Sequence, residues 1–574
     1  MKDNYRIPII IGVTGHRDLL ESDTSRLSGE IKKIIEGLKE DYRNSPLYFL
    51  SPLAEGADRI AAQVAIELGL GLIVPLPMAK DEYKKDFSTN ESKEEFEYLL
   101  DRAMFYFELD QGNGQLDNQE KRNDLYEELG IFISIHSQVI IALWDGKFID
   151  KKGGTSEVVR FSTGQIPLYY EGKMCWNDNK TLTYHIPTPR LSTADEERDI
   201  LLGGQGGIYG LGDNGEGVQG SKRLIKSIDD CNLELKEIYA TRAKEIEKEI
   251  DQLLPVDLGG LEGLRDSPML NAFASLSVLA NKSNSTKSIF TIFNLSLVLV
   301  FFLSLFNGSQ TPLIIIFAYL LNFSTIYLLS RKMNRTHISY IDYRTIAEGL
   351  RIQIFYDLFT AKAQRLKRNI TDKYSTKYHD ALNWVIIAID NISFVSHRDS
   401  YGGIEEDGSF LDKLDIISKY WLWSQIEYLE ANMGKRTRVG KRYVAIKKLL
   451  FTGAFLLTSL IFLLILGMNL ADMGSALSGK LTSLFFVISI LPAYGALVTW
   501  LTDKLAYNEE IERFRHLHNI YKKAEKSIES VLVGGGEDGI DKIRAILDNL
   551  AKEAIEENSN WALLHKDRQI DIPQ

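Results

Sequence analysis

Short segments that combine glycine with charged or hydroxyl side chains occur at four places in the N-terminal third of the chain. Glycine allows the backbone to approach a phosphate closely, and the N-terminus of a helix offers unpaired N–H groups and a partial positive charge. Arginine and histidine add charge or hydrogen bonds to a phosphate or a base, and aspartates accept from ribose hydroxyls or an exocyclic amine. The residues that we expect to contact such a ligand are Gly15, His16, Arg17, Glu55, Gly56, Asp58, Asp145, Gly146, Gly153, Gly154 and Thr155.

Each of these residues also has a structural interpretation that needs no ligand. A lone Gly-Gly-Thr segment is usually a tight turn followed by a helix N-cap. Arg17 is a candidate to pair with Asp18 or Glu55, and Asp58 is as good a candidate to cap a helix as to contact a ligand. Convergence of all four segments on one edge of one sheet is what favours binding.

The apolar runs that precede these segments predict a parallel β-sheet. Residues 7–13 are almost continuously apolar, as expected for a strand buried on both faces. Helices are predicted to begin near Ser25, to cover 59–68 and to follow Gly154. The predicted strands are 7–13, 47–51, 71–76, 137–144 and 166–170. This alternation predicts an α/β fold with a doubly wound parallel sheet, in which ligands bind beyond the carboxyl ends of the strands.

Four motifs follow the predicted strands in a fixed order. They are Gly15-His16-Arg17, then Leu53-Ala54-Glu55-Gly56-Ala57-Asp58-Arg59, then Leu76-Pro77 with Tyr83 and Phe87, and last Ala142-Leu143-Trp144-Asp145-Gly146 with Gly153-Gly154-Thr155. Together they resemble the SLOG superfamily, Rossmann-like domains that include the LOG phosphoribohydrolases, DNA-processing protein A and sensors of bacterial nucleotide-signalled defence. The resemblance covers residues 1–172. It implies a nucleotide-derived ligand, of cyclic nucleotide or ADP-ribose type, over the turns at Gly15, Gly56 and Gly154.

The catalytic glutamate of the LOG enzymes has no counterpart at the matching position. The resemblance implies the LOG pattern Pro-Gly-Gly-x-Gly-Thr-x-x-Glu, in which the glutamate comes three positions after the threonine. In this chain Val158 stands three positions after Thr155. Glu157 comes one position early, so its side chain is rotated by roughly 100° around the helix. The departure favours a domain that binds and senses a ligand over one that hydrolyses it.

Four long uncharged stretches predict membrane-spanning helices. They cover residues 288–306, 311–330, 449–470 and 481–501. A stretch of about 20 residues at about 1.5 Å each matches a hydrocarbon core of about 30 Å. Short connections join the stretches into two hairpins.

Basic residues flank the outer sides of both hairpins. They are Lys282, Lys287, Arg331, Lys332, Arg335, Lys435, Arg436, Arg438, Lys441, Arg442, Lys447, Lys448 and Lys504. This bias predicts a multi-pass protein of a bacterial inner membrane with both termini in the cytoplasm. No signal peptide is evident, because the first apolar run is short. The basic run at 435–448 is also a candidate nucleic-acid patch, but its place beside a span favours membrane anchoring.

The rest of the chain is predicted to be mainly helical. Residues 173–286 form an extension and linker, in which 181–186 is a candidate strand and the glycine-rich stretch 203–220 a mobile surface loop. Residues 332–447 and 503–574 are predicted to be cytoplasmic helical regions. With the hairpins at 287–331 and 448–502, they loosely resemble the SLATT-type two-span modules that accompany SLOG domains.

Composition and motif searches disfavour several functional classes. The net charge of −11 over 574 residues disfavours a general nucleic-acid binder. Two cysteines, Cys175 and Cys231, exclude a disulfide scaffold and a four-thiolate zinc site. The chain has no HExxH motif and no Gly-x-Ser-x-Gly elbow. No catalytic residue, metal or cofactor is therefore predicted.

The resemblance and the spans together lead to one expected function. We expect a homo-oligomeric membrane effector that senses a nucleotide second messenger and permeabilises or disrupts the inner membrane, in antiviral defence as the resemblance implies. Its partners would be the nucleotide-derived signal and the lipid bilayer, without nucleic acid. One alternative is a membrane-anchored nucleotide hydrolase or glycosidase that uses Glu157 or Glu55. The other is a nucleotide-gated channel, resembling the use of SLOG-like domains in melastatin-type TRP channels.

Overall fold

The chain folds into two compact units, Met1–Leu279 with Tyr343–Leu414 and Ala280–Asp342 with Asp415–Gln574. The structure is a computed structural model. It describes residues 5–110, 118–149, 152–163, 181–204, 206–209, 216–254, 262–283, 312–360, 371, 379–396, 410–470, 495, 499, 507–534 and 538–567.

The first unit is built on a seven-stranded sheet. Its strands are β1 (Ile9–Gly15), β2 (Leu47–Leu50), β3 (Gly71–Leu76), β4 (Phe105–Glu108), β5 (Val139–Trp144), β6 (Leu182–Pro187) and β7 (Gly207–Tyr209). The strand order is β4-β3-β2-β1-β5-β6-β7, and every neighbouring pair is parallel except β6 and β7. The predicted α/β class with a mostly parallel sheet is confirmed. Because the chain leaves β1 toward β2 and later returns to its other side as β5, the strand order reverses next to β1.

Helices fill the connections of the sheet and make up most of the rest of the chain. They are α1 (Thr24–Asp41), α2 (Ala57–Glu67), α3 (Lys80–Tyr83), α4 (Asn90–Leu100), α5 (Gln119–His136), α6 (Thr155–Ser162), α7 (Asp195–Gly203), α8 (Glu216–Thr241), α9 (Ala243–Leu253), α10 (Glu262–Arg265), α11 (Pro268–Ser283), α12 (Pro312–Phe359), α13 (His379–Ser396), α14 (Phe410–Ile416), α15 (Ser424–Leu470), α16 (Tyr507–Gly534) and α17 (Gly539–Asp567). A π-helical stretch, Ile417–Trp423, connects α14 to α15.

The strand predictions are confirmed for 7–13, 47–51, 71–76 and 137–144, and the candidate at 181–186 is β6. The predicted strand at 166–170 lies outside the described residues, and β4 was not predicted. The prediction of a mobile loop at 203–220 is wrong for the described part, which contains β7 and the start of α8. A Cβ on Gly206 would lie 2.2 Å from the carbonyl oxygen of His185, so glycine there permits the close approach to β6.

The packed core explains why the first unit extends beyond residue 172. On one face of the sheet, Ile10, Leu50 and Ile73 are buried beside Phe132 of α5 and Phe394 of α13. The ring centroids of Phe132 and Phe394 are 5.9 Å apart. Helix α13 therefore completes the core of the α/β unit, although the sequence assigned it to a separate helical region.

A buried amide pair ties α13 to the centre of the sheet. Asn391, which is 1 % exposed, donates to the carbonyl oxygen of Pro8 at 2.8 Å and to Oε1 of Gln138 at 2.7 Å. The same Oε1 accepts from the N–H of Ile10 at 3.0 Å. Because buried amides are costly when unpaired, this network specifies how α13 packs on β1.

The second unit is helical in its described residues. Trp421 is fully buried, and its ring lies edge-on to Tyr521 of α16 at 6.2 Å. The buried carboxylate of Glu510 accepts from Nε1 of Trp561 at 3.2 Å and forms an ion pair with Arg436. The Glu510 contacts connect α15, α16 and α17.

One continuous helical stretch among the described residues, Phe410–Leu464, is long and apolar enough to cross a membrane by length and composition. Its most apolar 18-residue window has a mean hydropathy of 1.8 and is 11 % buried. The predicted span at 449–470 overlaps this stretch, and the span at 311–330 falls within helix α12. The span at 288–306 lies outside the described residues, as does nearly all of the span at 481–501. The multi-pass topology therefore remains a prediction.

Candidate functional site

A cavity of about 600 Å³ lies beyond the carboxyl ends of the central strands of the first unit. It is lined by the end of β1 at Gly15, by the turn after β2 at Ala54, and by the start of α6 at Gly154. This edge, next to the reversal of strand order, is where doubly wound sheets bind ligands. The cavity brings together seven of the eleven predicted residues. They are Gly15, His16, Arg17, Asp58, Gly153, Gly154 and Thr155.

The N-terminus of α6 opens into the cavity without a side-chain cap. Its N-cap residue is Gly154, which makes no side-chain capping hydrogen bond. Gly153 precedes it with a φ of +71°, and a Cβ there would lie 2.6 Å from the Cβ of Tyr126. Glycine is thus required by both conformation and space at this position. The arrangement directs the positive end of an eight-residue helix toward any anion in the cavity.

Arg17 is an exposed residue whose side chain lines the same cavity. Its central carbon lies 5.1 Å from the ring centroid of Tyr126, a cation–π geometry. Among the described residues no carboxylate lies within ion-pair distance of Arg17, so the expected pairing with Asp18 or Glu55 is wrong. Desolvation opposes its charge, but the nearby Tyr83, Tyr126 and Asp58 raise the pKa of Arg17, which keeps the group cationic.

Tyr83 supplies a hydroxyl that lacks a partner. The residue is 0 % exposed and lines the cavity, and its ring packs edge-on against Phe87 at 5.1 Å and Phe96 at 5.9 Å. Its hydroxyl oxygen is buried and makes no hydrogen bond within the described part of the chain. A buried hydroxyl without a partner is costly, and a ligand in the cavity would provide one.

Asp58 is the most buried of the carboxyl groups that line the cavity, 7 % exposed in the first turn of α2. Burial raises its pKa to about 7, against the opposing influence of Arg17, the N–H of Ala54 and Arg59. The prediction that Asp58 caps α2 is wrong, because the N-cap is Gly56 and no side chain caps that helix.

His16 and Asp145 are occupied by protein partners. Nε2 of His16 accepts from the N–H of Asp145 at 3.0 Å, and His16 is 3 % exposed. Burial and the nearby Arg190 lower the pKa of His16, so the ring is neutral at pH 7. The carboxylate of Asp145 accepts from Nε of Arg190 at 3.3 Å and from the N–H of Lys147 at 3.1 Å. The expectation that His16 supplies charge to a phosphate is therefore not met by this geometry.

The side chains of Thr155 and Glu157, at the start of α6, also form hydrogen bonds with backbone groups. The hydroxyl of Thr155 donates to the carbonyl oxygen of Gly15 at 2.8 Å, so its proton is not directed at the cavity. The carboxylate of Glu157 accepts from the N–H of Gly153 at 2.5 Å. The Thr155 bond connects α6 to β1, and the Glu157 bond supports the turn before the helix. Glu157 is not among the residues that line the cavity.

The turn after β2 has a strained backbone, and it packs directly against the turn after β1. Leu53 is buried with a φ of +57°, and its carbonyl oxygen accepts from Nε of Arg59 at 3.1 Å. Gly56 has a φ of +82°, and a Cβ there would lie 2.4 Å from the carbonyl oxygen of Arg17. Strained backbone of this kind persists where the surroundings over-determine it, as at binding sites.

Four predicted contact residues do not line the cavity: Glu55, Gly56, Asp145 and Gly146. The carboxylate of Glu55 accepts from the N–H of Ser88 at 2.9 Å and from the hydroxyl of Ser92 at 2.5 Å. Gly146 takes a φ of +79° in the turn after β5. Arg190, the partner of Asp145, does line the cavity.

Several lining residues were not among the predicted contacts, and they include Tyr83, Tyr126, Lys152 and Arg190. Arg190 follows β6, so the rule that ligands meet the carboxyl ends of parallel strands would have found it once β6 was placed next to β5. Nζ of Lys152 lies 2.6 Å from Asp124 and 3.1 Å from Glu127. Tyr126 lies in α5, and no local pattern distinguishes it from other helix residues.

Comparison of the chain with family models, with curated proteins and with solved structures found no match. The geometry of the cavity is therefore what supports a function.

Proposed function

We propose that the α/β unit binds a nucleotide-derived ligand and that the helical part of the chain acts in a membrane in response. The observation that carries the proposal is the cavity beside β1, where the guanidinium of Arg17, the orphaned hydroxyl of Tyr83 and the uncapped start of α6 meet. Within the described residues the Tyr83 hydroxyl has no hydrogen-bond partner, and Arg17 hydrogen-bonds to Tyr126 but forms no ion pair with a carboxylate. An anionic ligand that also carries hydroxyl or ring acceptors would satisfy all three.

The chemistry of the cavity favours a phosphorylated ligand with an aromatic or ribose part. The helix start and Arg17 provide the donors that phosphates prefer. The ring of Tyr126, already stacked on Arg17, offers a face on which a base can lie. A volume of about 600 Å³ is within the range of small-molecule sites.

Membrane insertion is supported by the apolar, exposed part of α15. Leu449, Phe455 and Phe462 are 72 %, 70 % and 63 % exposed in the isolated chain. Side chains of this kind are stable in hydrocarbon and unfavourable in water, at about 25 cal/mol per Å². We propose that α15 crosses the bilayer together with the stretches at 288–306, 311–330 and 481–501.

Signal transmission requires that the ligand bind the active arrangement more tightly than the resting one. A preference of about 5.5 kcal/mol moves a population from roughly 1:99 to 99:1. The proposed outcome is an opened or disrupted membrane, with the chain acting as an oligomer.

Hydrolysis is the weaker candidate, because both acids considered for it are engaged. Glu157 holds the N–H of Gly153, and Glu55 accepts from Ser88 and Ser92. Neither carboxylate lines the cavity. A general acid must reach the bond that it cleaves, so these contacts favour retention of the ligand without turnover.

Calorimetry with the full chain in detergent tests the binding step. ADP-ribose, a cyclic dinucleotide and inorganic phosphate serve as probes, and we expect at least one nucleotide to bind without being consumed. Arg17→Ala should weaken that binding at least about tenfold, since a charged hydrogen bond contributes about 1.5–3 kcal/mol.

A matched control is Arg102→Ala. Arg102 also lies on a tyrosine ring, 3.5 Å from the centroid of Tyr98, but outside the cavity. This variant should bind as the unmodified chain does. Equal affinities of the Arg17→Ala and unmodified chains, or binding of no nucleotide probe, would contradict the proposal. Release of a dye from vesicles that contain the full chain, on addition of the bound nucleotide, tests the membrane step.

A further inference from the structure

Helix α15 carries a band of positive charge directly before its apolar part. The band consists of Lys435, Arg436, Arg438, Lys441, Arg442, Lys447 and Lys448. No aspartate or glutamate occurs between residues 435 and 470. The helix is continuous across the junction, so charge and apolar surface are held in one rigid element.

The apolar part has one packed face and a wide exposed one. Ala454 and Ile461, seven residues apart on the same face, are 4 % and 2 % exposed. The large side chains around the rest of the helix are open, among them Leu449 at 72 % and Leu463 at 62 %. The hydrocarbon boundary therefore falls at about Leu449, where the uncharged sequence begins.

Distance along the helix divides the positive band into an inner and an outer part. At about 1.5 Å per residue, Lys447 and Lys448 lie within about 3 Å of Leu449 along the axis. Lys441 and Arg442 lie about 10–12 Å from Leu449 along the axis. The headgroup layer is about 5–7 Å deep and the Debye length is about 8 Å in physiological salt. Lys447 and Lys448 thus lie at headgroup level. Lys441 and Arg442 lie farther out, where the electrostatic attraction to anionic headgroups is weaker.

The outer residues of the band are engaged or too far away. Arg436 forms an ion pair with the buried Glu510. Nε of Arg438 donates to the carbonyl oxygen of Gly434 in its own helix at 3.2 Å. Lys435 and Arg438 lie about 16–21 Å from Leu449 along the axis, about two Debye lengths from the boundary.

We infer that Lys447 and Lys448 form a binding site for the phosphates of anionic phospholipids at the basic end of the span. Lys441 and Arg442 add to the attraction, and Lys435 and Arg438 do not. Lysines at the end of a spanning helix extend their ammonium groups to the headgroups. The inference rests on the membrane insertion proposed above. A lipid is favoured over nucleic acid because the site is continuous with the apolar span and the whole chain carries a net charge of −11.

Native mass spectrometry of the full chain in neutral detergent tests the site. The chain is titrated with phosphatidylglycerol or with phosphatidylcholine. Each lysine near an anionic surface contributes a factor of about five, so K447Q/K448Q should weaken phosphatidylglycerol binding about 25-fold. The matched control, K435Q/R438Q, removes the same charge and should change the affinity less than about twofold. Neither variant should alter phosphatidylcholine binding.

Three results would overturn the inference. They are equal affinities of the unmodified chain for the two lipids, equal losses in the two double variants, and displacement of phosphatidylglycerol by a single-stranded oligonucleotide. Alkaline carbonate extraction of membranes tests insertion separately. A chain that stays in the membrane but shows no preference for phosphatidylglycerol contradicts only the lipid site. A chain that carbonate extracts contradicts the proposed membrane function itself.

Discussion

The orphaned hydroxyl of Tyr83 leads to a prediction in which stability and binding change in opposite directions. The perturbation is Tyr83→Phe, which keeps the fully buried ring and its edge contacts with Phe87 and Phe96. It removes only an oxygen that has no hydrogen-bond partner within the described residues. In the ligand-free chain the substitution therefore removes a cost and loses no bond.

The magnitude follows from the cost of an unpaired buried polar group, about 1–3 kcal/mol. We expect Tyr83→Phe to raise the free energy of unfolding of the α/β unit by about 1 kcal/mol. For a unit of roughly 350 residues, with an unfolding entropy of about 2 cal/mol/K per residue, the midpoint rises by about 1 °C. Affinity for a bound nucleotide should fall about tenfold, because the hydrogen bond to the ligand is lost.

The assays are thermal unfolding of the ligand-free full chain in detergent and calorimetric titration with the nucleotide that binds. Tyr126→Phe is the contrasting variant, since the hydroxyl of Tyr126 donates to the carboxylate of Asp86. That variant should lower the unfolding free energy by about 1–2 kcal/mol. A lowered midpoint for Tyr83→Phe would mean that its hydroxyl has a partner in the folded chain, and an unchanged affinity would remove Tyr83 from the binding site.

Two further predictions concern the turn after β2 and the buried carboxyl group. Gly56→Ala should destabilise the unit by at least about 3 kcal/mol, because the positive φ alone costs about 1–2 kcal/mol and the new Cβ meets the carbonyl of Arg17. Gly69→Ala, with a φ of +76° and no atom within 4 Å of the new Cβ, should cost about 1 kcal/mol, and urea unfolding compares the two. The pKa of Asp58 is about 7 when folded and lower when unfolded, so its stabilising contribution is complete below about pH 3 and is lost as the pH rises to 7. Asp58→Asn should therefore reduce the loss of unfolding free energy between pH 5 and pH 8, by at most about 3 kcal/mol, and an unchanged pH profile would show that the carboxyl group is not buried in this way.

Much of the α/β unit could be predicted because its signals are local. A strand buried on both faces must be apolar at successive positions, as in 7–13, and the runs at 7–13, 47–51, 71–76 and 137–144 were correctly placed. The glycines after the strands were found because backbone conformations with positive φ, as at Gly56 and Gly153, favour glycine. Their convergence follows from topology, since parallel strands end at one edge of the sheet.

The roles of individual side chains at that edge could not be predicted in the same way. His16 and Arg17 are adjacent in sequence and have similar chemistry, yet His16 is buried against Asp145 whereas Arg17 lies on the ring of Tyr126 at the cavity. Thr155 was expected to face a ligand and instead donates to Gly15, which is 140 positions away. The partner that each polar group finds depends on which distant segment packs beside it.

The sequence by itself determined the alternation of strands and helices, the glycine turns and the long apolar stretches, because each is encoded in neighbouring residues. Only the tertiary structure decided that Tyr83 is left with an unsatisfied hydroxyl and that Arg190 reaches the cavity from β6. It also decided that α13 completes the core of the sheet, through Asn391 and Gln138, which are separated by 253 positions. The physical reason is that burial and hydrogen bonding act between segments that are close in space, and sequence spacing carries no record of that distance.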